Sequence, residues 1–538
     1  MDPIVRLGRG PLVVVAPHGG TSDRDLLEPP ARPVRSNDLC TAELARHLAE
    51  RVDGSLLAND ALDRNHVDLN RIDEVSSRAP WLFERLAGMV DRAIAAHGRA
   101  EVVFVHGWHV VQPRCDVGVG ARFEGPADAP LERLTVGPDY LAHRIEALRA
   151  ACRRIGVDAA FGDRWPGAHS NNVLQVFRRH SERAFDGAAA RLAAAARSGA
   201  VEAVQLELGA ALRWPGPLRD AFVEAFAESL ASHDAASGDR SVHGGEERVL
   251  PDAPSEHRPF GLRLFDPAAG PSGLGLVAGV GPMPGGRRGG RLLLFPGSQR
   301  LVLFTGEQRG GATGSVGALR FEREQGGLRL RFEGPALAAP DGREHFRSER
   351  AQLRASVVPV SIDVRLHADE GGFGMVSGRV EIDGDRRTVE AAGFEGVPWG
   401  ASSGEAHRVE TRVAAAPDGR RGLSFRVRGR ELAGLRHGGP GSAPEEIRGT
   451  ALWPGTRPGA FVAEIEGGSL RCEPRCHLSW LRSGSEGRHA LVTVGVLACG
   501  IDRESTGGGI FEHVEPRSAR DRGPDRENTG LPAEVKVP

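Results

Sequence analysis

The sequence predicts a multidomain protein, an α/β sheet domain followed by an all-β domain. Three observations carry this prediction. Up to about residue 232, short β-branched runs alternate with amphipathic helical stretches, as in a sheet covered on both faces. From about residue 259, period-two stretches between glycine-rich turns recur roughly every 10–15 residues, the texture of a sandwich or barrel. The chain has 538 residues, more than one hydrophobic core serves.

In chain order, the first strand is the apolar run Leu12-Val13-Val14-Val15-Ala16, which stops on Pro17-His18-Gly19-Gly20. A helix fits Thr41–Arg51, with Leu44, Leu48 and Val52 on one face and Asn37 or Asp38 upstream as caps. A strand near 55–58 precedes a helix over Trp81–His97, where Leu82, Leu86, Val90 and Ile94 fall at helical spacing. The second histidine-ended strand is Val102-Val103-Phe104-Val105-His106, followed by Gly107. Pro138–Arg154 and Ser181–Ser198 are further amphipathic helices, and Val204-Gln205-Leu206-Glu207-Leu208 lies in the strand near 202–208. Short apolar strands of this kind read as a buried parallel sheet. Domain 1 is therefore residues 1–232, residues 233–258 are a polar linker, residues 259–514 form the all-β domain in one or two lobes, and the Arg-, Asp-, Pro- and Glu-rich residues 515–538 are a disordered tail. Typical β stretches are Leu328-Arg329-Leu330-Arg331-Phe332 and Gly378-Arg379-Val380-Glu381-Ile382, with turns such as Asp383-Gly384-Asp385 and Pro417-Asp418-Gly419.

Formal net charge is −2 and the isoelectric point is near 6.9, which gives no footprint for nucleic acid or a membrane surface. No run approaches the ~20 apolar residues that span a bilayer, and no signal-peptide pattern opens the chain. The expectation is a cytoplasmic protein with reduced thiols. Of the six cysteines, only Cys472-x3-Cys476-His477 lie close together. Without a second close pair they make a poor zinc site.

Ligands of open α/β sheets bind beyond the carboxyl ends of the strands. Two strands end on His18 and His106, each followed by glycine, and an imidazole there can bind zinc. His109, in the loop beyond, could bind as well; His106 is favoured because Gly107 follows it as Gly19 follows His18, and the plain alternative for His109 is a loop or supporting histidine. Glu207 is a lone carboxylate in an apolar strand; it is a candidate general base, with a salt bridge to an arginine as the plain alternative. In Asp68-Leu69-Asn70-Arg71 the arginine fork suits a substrate carboxylate, a surface turn being the alternative. Asp116-Val117-Gly118-Val119-Gly120 reads as a metal-facing or structural turn. No Gly-x-Ser-x-Gly elbow is present, so metal-assisted hydrolysis ranks above covalent catalysis.

Taken together, Pro17-His18-Gly19-Gly20, Asn37-Asp38 with Thr41, Asp68-Leu69-Asn70-Arg71, Val105-His106-Gly107, Asp116–Gly120 and Gln205-Leu206-Glu207 resemble the N-formylglutamate amidohydrolase family over roughly residues 10–230. The resemblance implies the phosphorylase/hydrolase-like fold of zinc carboxypeptidases and hydrolysis of the amide of N-formylglutamate or a similar acylated amino acid. It implies zinc on His18 and His106, Glu207 as the base, and Asn70 and Arg71 on the substrate carboxylate. Thr21 stands where the carboxypeptidase pattern His-x-x-Glu has its glutamate, so the third ligand is placed on Asp38. Gly378–Ile382 and Gly393-Phe394-Glu395-Gly396-Val397-Pro398-Trp399-Gly400 resemble the lipocalin-like β domain of hydroxyneurosporene synthase and tocopherol cyclase relatives. That implies a barrel holding an apolar ligand, or a scaffold. The alternatives are a γ-glutamyl peptide hydrolase, and a non-catalytic binding protein with a degenerate first domain.

Overall fold

The computed structural model describes residues 3–28, 30, 34–122, 131–236, 259–266, 273–283, 285–297, 299–369, 372–396, 410–416, 422–428, 430–437, 443–452, 461–465, 468–483, 489–501 and 504–517. The chain divides into two compact units, Met1–Asp23 with Val34–Leu250, and Arg24–Pro33 with Pro251–Pro538. The short segment Arg24–Pro33, expected in the first domain, belongs to the second unit.

The first unit is a seven-stranded sheet with helices on both faces. Its strands are β1 (Ile4–Arg6), β2 (Leu12–Ala16), β3 (Ser55–Ala58), β4 (Ala100–Gly107), β5 (Arg114–Gly118), β6 (Asp158–Phe161) and β7 (Val201–Leu208), in the order β1-β3-β2-β4-β7-β5-β6. The central four, β3-β2-β4-β7, are parallel. The sheet as a whole is mixed: β1 is antiparallel to β3, and β5 is antiparallel to β7. Residues 108–113 between β4 and β5 are too few for the crossover of about a dozen residues that a parallel strand needs, so β5 returns in the opposite sense. Asp116–Gly118 is thus the end of a buried strand, not a turn.

Alternate residues of β2 feed two separate cores. Leu12, Val14 and Ala16 pack with Leu44, Leu48 and Leu206, while Val13 and Val15 pack with Leu82, Leu86, Val90 and Phe104. This two-sided burial is why the central strands read as unbroken apolar runs. The helices are α1 (Thr41–Arg51), α2 (Ile72–Arg78), α3 (Trp81–His97), α4 (Glu146–Arg154), α5 (Gly187–Arg197), α6 (Ala210–Arg213) and α7 (Pro217–Ala236). Four expectations are corrected here. The first turns of the stretch before α4 form a wider π-helix, Tyr140–Ile145, and α5 starts only at Gly187. α7 carries helix through 233–236, the first residues of the expected linker; the rest of that linker lies outside the described residues. Neither Asn37 nor Asp38 caps α1: the residue before it is Cys40, at φ 65°, with no side-chain cap.

The second unit is built mainly of β-strands, with two short helices among its described residues, Gly342–His345 and Glu349–Gln352. Ten antiparallel strands form one sheet, in the spatial order Leu301–Arg309, Arg287–Phe295, Leu274–Met283, Phe260–Asp266, Asp385–Glu395, Phe373–Ile382, Ser356–Ala368, Gly327–Ala339, Leu319–Glu324 and Ser315–Val316. The turn at Asp383-Gly384 has both residues at positive φ, 55° and 84°, the backbone a two-residue hairpin demands. Eight further strands, from Glu410–Ala416 to Glu504–Arg517, close into a barrel. The last strand holds residues 515–517 of the expected tail; residues 518–538, the Val397–Gly400 motif and the turn at 417–419 lie outside the described residues. No helix among the described residues is long and apolar enough to cross a membrane.

Candidate metal centre

β2, β4 and β7 are neighbours, so their carboxyl ends form one edge. His18 follows β2 by two residues. His106 is the penultimate residue of β4 and pairs in register with Glu207, the penultimate residue of β7. Paired residues of adjacent strands share a face of the sheet, so the imidazole and the carboxylate stand side by side. Asp38 comes from the loop entering α1, held there by its N–H, which donates to the His18 carbonyl at 2.8 Å, and by its own carbonyl, which accepts from the Thr41 hydroxyl at 2.6 Å.

His18, Asp38 and His106 are all buried, and one ligand-type atom from each lies within 4.8 Å of the others. Asp38 Oδ2 is 3.1 Å from His18 Nδ1 and 3.1 Å from His106 Nδ1. The two rings meet edge to face, their centroids 5.1 Å apart. On its other side, His18 Nε2 is 2.8 Å from Asp68 Oδ1. Asp68 also accepts the Asn70 N–H at 3.1 Å and faces Arg35, Arg64 and Arg71.

Two glycines make these approaches possible. A Cβ on Gly107 would stand 2.7 Å from Arg213 Cζ and 3.0 Å from Asp38 Cβ. A Cβ on Gly19 would stand 2.6 Å from both the Ala42 side chain and the Asn59 carbonyl. Buried Arg213 ties the edge together, donating to the carbonyls of Leu208 at 3.0 Å and Trp108 at 2.9 Å and to that of Leu39.

The charges are strongly perturbed. Burial alone would raise the Asp38 carboxyl, but the His18 charge, hydrogen bonds from His106 and His18 and the Arg64 charge hold it well below its usual range. Asp68 is lowered in the same way: burial is outweighed by His18, Arg64 and the Asn70 N–H. Glu207 moves the other way. Burial pushes it up to about 7, with Asp38 and Asp116 adding to the rise and His106 and Arg64 opposing it.

Both nitrogens of His18 face carboxylate oxygens. With the Nε2–H given to Asp68, the Nδ1 lone pair confronts an acceptor, and a proton or a cation must occupy that contact. His106 Nε2 is buried without a hydrogen-bond partner among the described residues. Two imidazoles and one carboxylate, with a further carboxylate fixing an imidazole from behind, are the donor set of an open zinc site. The residues present fit that ion.

Other candidates have different surroundings. The Asn70 carbonyl accepts from Val173 N–H at 3.3 Å. Arg71, a quarter exposed, places Nη1 3.1 Å from His169 Nδ1 and Nε 3.7 Å from Asp68. His109 is exposed on its loop. Asp116 accepts the N–H groups of Asp163, Arg164 and Trp165 at 3.0, 2.9 and 2.6 Å, so its work is to hold that turn. Sequence reading missed Asp68 as the partner of His18, and it missed Arg35 and Arg64. The only signal was the density of charge in Arg64–Arg71.

No family model matches the chain, and no curated protein matches it by sequence. Among solved structures, it is similar to an N-formylglutamate amidohydrolase from Ralstonia eutropha JMP134, with 15% identity over 44% of this chain and 99% of that one and a TM-score of 0.30. It is also similar to a protein described as AttH from Nitrosomonas europaea (13% identity, 51% and 98% covered, TM-score 0.31) and to kievitone hydratase from Nectria haematococca (9%, 49% and 90%, 0.30). At these scores the likenesses decide nothing about activity.

Proposed function

We propose that the α/β unit is a zinc-dependent amidohydrolase that cleaves the amide of an N-acyl amino acid, on a phosphorylase/hydrolase-like fold. The observation that carries this reading is the buried convergence of His18, Asp38 and His106 at one sheet edge, with Glu207 beside it. His18, Asp38 and His106 would hold the metal. Bound there, zinc would supply Lewis acidity and bring water toward ionisation near pH 7. Glu207, in register beside His106, takes a proton from the attacking water and delivers it to the leaving amine. Asn70 and Arg71 hold the substrate carboxylate, the guanidinium offering a fork of donors. Asp68 keeps His18 in one tautomer and orientation. The cytoplasm is the proposed location.

The test is elemental analysis of the whole chain and of the His18→Ala/His106→Ala variant, followed by turnover of N-formylglutamate and a series of N-acyl amino acids. About one zinc per chain, lost in the variant, and amide cleavage lost in Glu207→Gln with metal retained, is the expected result. A folded, zinc-supplied chain that holds no metal overturns the reading and leaves a non-catalytic binding protein.

A further inference from the structure

The β unit contains a second group of chemically active side chains, far from the first in sequence. His437, at the end of strand Glu431–His437, is fully buried. Its Nε2 is 3.0 Å from the hydroxyl of Ser424, on the adjacent strand Gly422–Arg428. Its Nδ1 is 3.5 Å from Asp369 Oδ2. Asp369 is also buried, and its other oxygen accepts the Phe373 N–H at 2.9 Å. Neither His437 Nδ1 nor Asp369 Oδ2 has a hydrogen-bond partner among the described residues. Each is the other's nearest means of satisfaction, and such contacts commonly stand long before substrate binds.

The surroundings fix the imidazole and are apolar. Gly422 pairs with His437 in register, and Ser424 lies two residues on, so both side chains share one face of the barrel wall. Ala414 and Ala416 on the next strand lie on that face too, packed with Phe373, Ala392 and Phe394 of the ten-stranded sheet. The rings of Phe373 and Phe394 stand 5.4 and 5.9 Å from that of His437. A Cβ on Gly422 would come within 2.6 Å of the Phe373 ring, so this glycine is what lets the ring approach. Ser424 keeps partial exposure.

We propose that Ser424, His437 and Asp369 form a second hydrolytic site, which cleaves carboxylic esters with an apolar acyl group. Nucleophile, base and orienting carboxylate stand in the order such chemistry requires. Ser424 Oγ forms a bond to the acyl carbon as its proton passes to His437 Nε2. The ester C–O bond then breaks, and the alcohol leaves with that proton. Water, deprotonated by His437, attacks the acyl-serine; the acid departs and the proton returns to Ser424 Oγ. Asp369 accepts the Nδ1–H and holds the ring in the tautomer that leaves Nε2 free to act as base. Burial keeps His437 below its usual pKa against the opposing pull of Asp369, which favours the base form at neutral pH.

The experiment treats the whole chain with an alkyl fluorophosphonate carrying a mass tag, alongside p-nitrophenyl acetate and octanoate. The expected result is one adduct on the peptide containing Ser424, absent in Ser424→Ala, slowed about 100-fold or more in His437→Gln and slowed also in Asp369→Asn, with octanoate preferred over acetate. The adduct persists in the His18→Ala/His106→Ala variant, which separates this site from the metal centre. No adduct on Ser424 at saturating probe in the folded protein overturns the proposal. So does a labelling rate unchanged in a His437→Gln variant that melts like the parent.

Discussion

Asp68→Asn isolates the role given to the carboxylate behind His18. Asp68 Oδ1 takes the His18 Nε2–H at 2.8 Å and the Asn70 N–H at 3.1 Å, while Oδ2 faces Arg35, Arg64 and Arg71. An amide serves only half of this. With its oxygen on His18, its NH₂ confronts three guanidinium groups; flipped, it sets N–H against N–H. In the better orientation a charge-assisted hydrogen bond becomes a neutral one, roughly half as strong. His18 then holds its ring less firmly and is a poorer donor toward a metal. The loss expected when such a partner is removed is about 10- to 100-fold in metal affinity, or about 1.4–2.7 kcal/mol. The assay is zinc competition between the whole chain and a chromophoric chelator at pH 7, with circular dichroism as the control for folding. A folded Asp68→Asn protein that binds zinc within about twofold of the parent would refute the argument, because the buried His18–Asp68 contact would then do nothing for the ligand it orients.

Gly107→Ala drives a methyl group against Arg213 and Asp38, both buried. Overpacking of this kind costs about 1–3 kcal/mol; calorimetry should show a lower melting temperature for the α/β unit, and an unchanged one would mean the edge is looser than described. Glu207→Gln should stabilise the metal-free protein at pH 8 but not at pH 4. A carboxyl near 7 when folded and about 4.3 when unfolded binds more protons in the native state, so stability falls as pH rises between those values. The gain is on the order of 4 kcal/mol, read from denaturant midpoints at the two pH values, and equal midpoints at pH 8 would refute it. Asp68 has the opposite sign. Its lowered value gives stability that is complete above the unfolded-state value of about 3.9 and is lost as pH falls toward the native one. The acid limb of the parent's pH–stability curve should therefore flatten in Asp68→Asn, and an equally steep limb would contradict this.

The strand ends were legible because burial on both faces writes itself as β-branched runs, and His18 and His106 stop two of them. Glu207 was legible because a lone carboxylate in such a run is costly. Strand β5, which lies between β7 and β6, was misread: Asp116–Gly118 has the glycine content of a turn, and only the short 108–113 connection explains why it is a returning strand. Asp38 came from the family resemblance; nothing local marks it, since its position depends on the His18 carbonyl holding the loop before α1. Asp68 was quoted without a role, because its partner lies fifty residues earlier in the chain and only the fold joins them. The Ser424–His437–Asp369 group was invisible for the same reason. Its members lie on two strands of the barrel and at the end of one in the neighbouring sheet, and no nucleophile-elbow motif announces them.

The value near 7 for Glu207 belongs to the metal-free centre, and this makes the two states distinguishable. Burial raises that carboxyl, and Asp38 and Asp116 raise it further; only His106 and Arg64 pull it down. A divalent cation shared by His18, Asp38 and His106 would be the largest local charge, and it would cancel the Asp38 contribution while adding attraction of its own. The carboxylate form of Glu207 must then be favoured more strongly with metal than without. The acid limb of kcat/KM for the zinc-loaded enzyme should therefore lie below the value obtained by infrared titration of the Glu207 carboxyl in the metal-free chain. The direction is the decisive quantity. If the kinetic limb lies at or above the metal-free titration, either the cation is not held beside Glu207 or the group that controls the rate is a different one. Repeating the profile with Glu207→Asp, a shorter acid on the same strand, separates those cases, because only a limb that belongs to residue 207 moves with it.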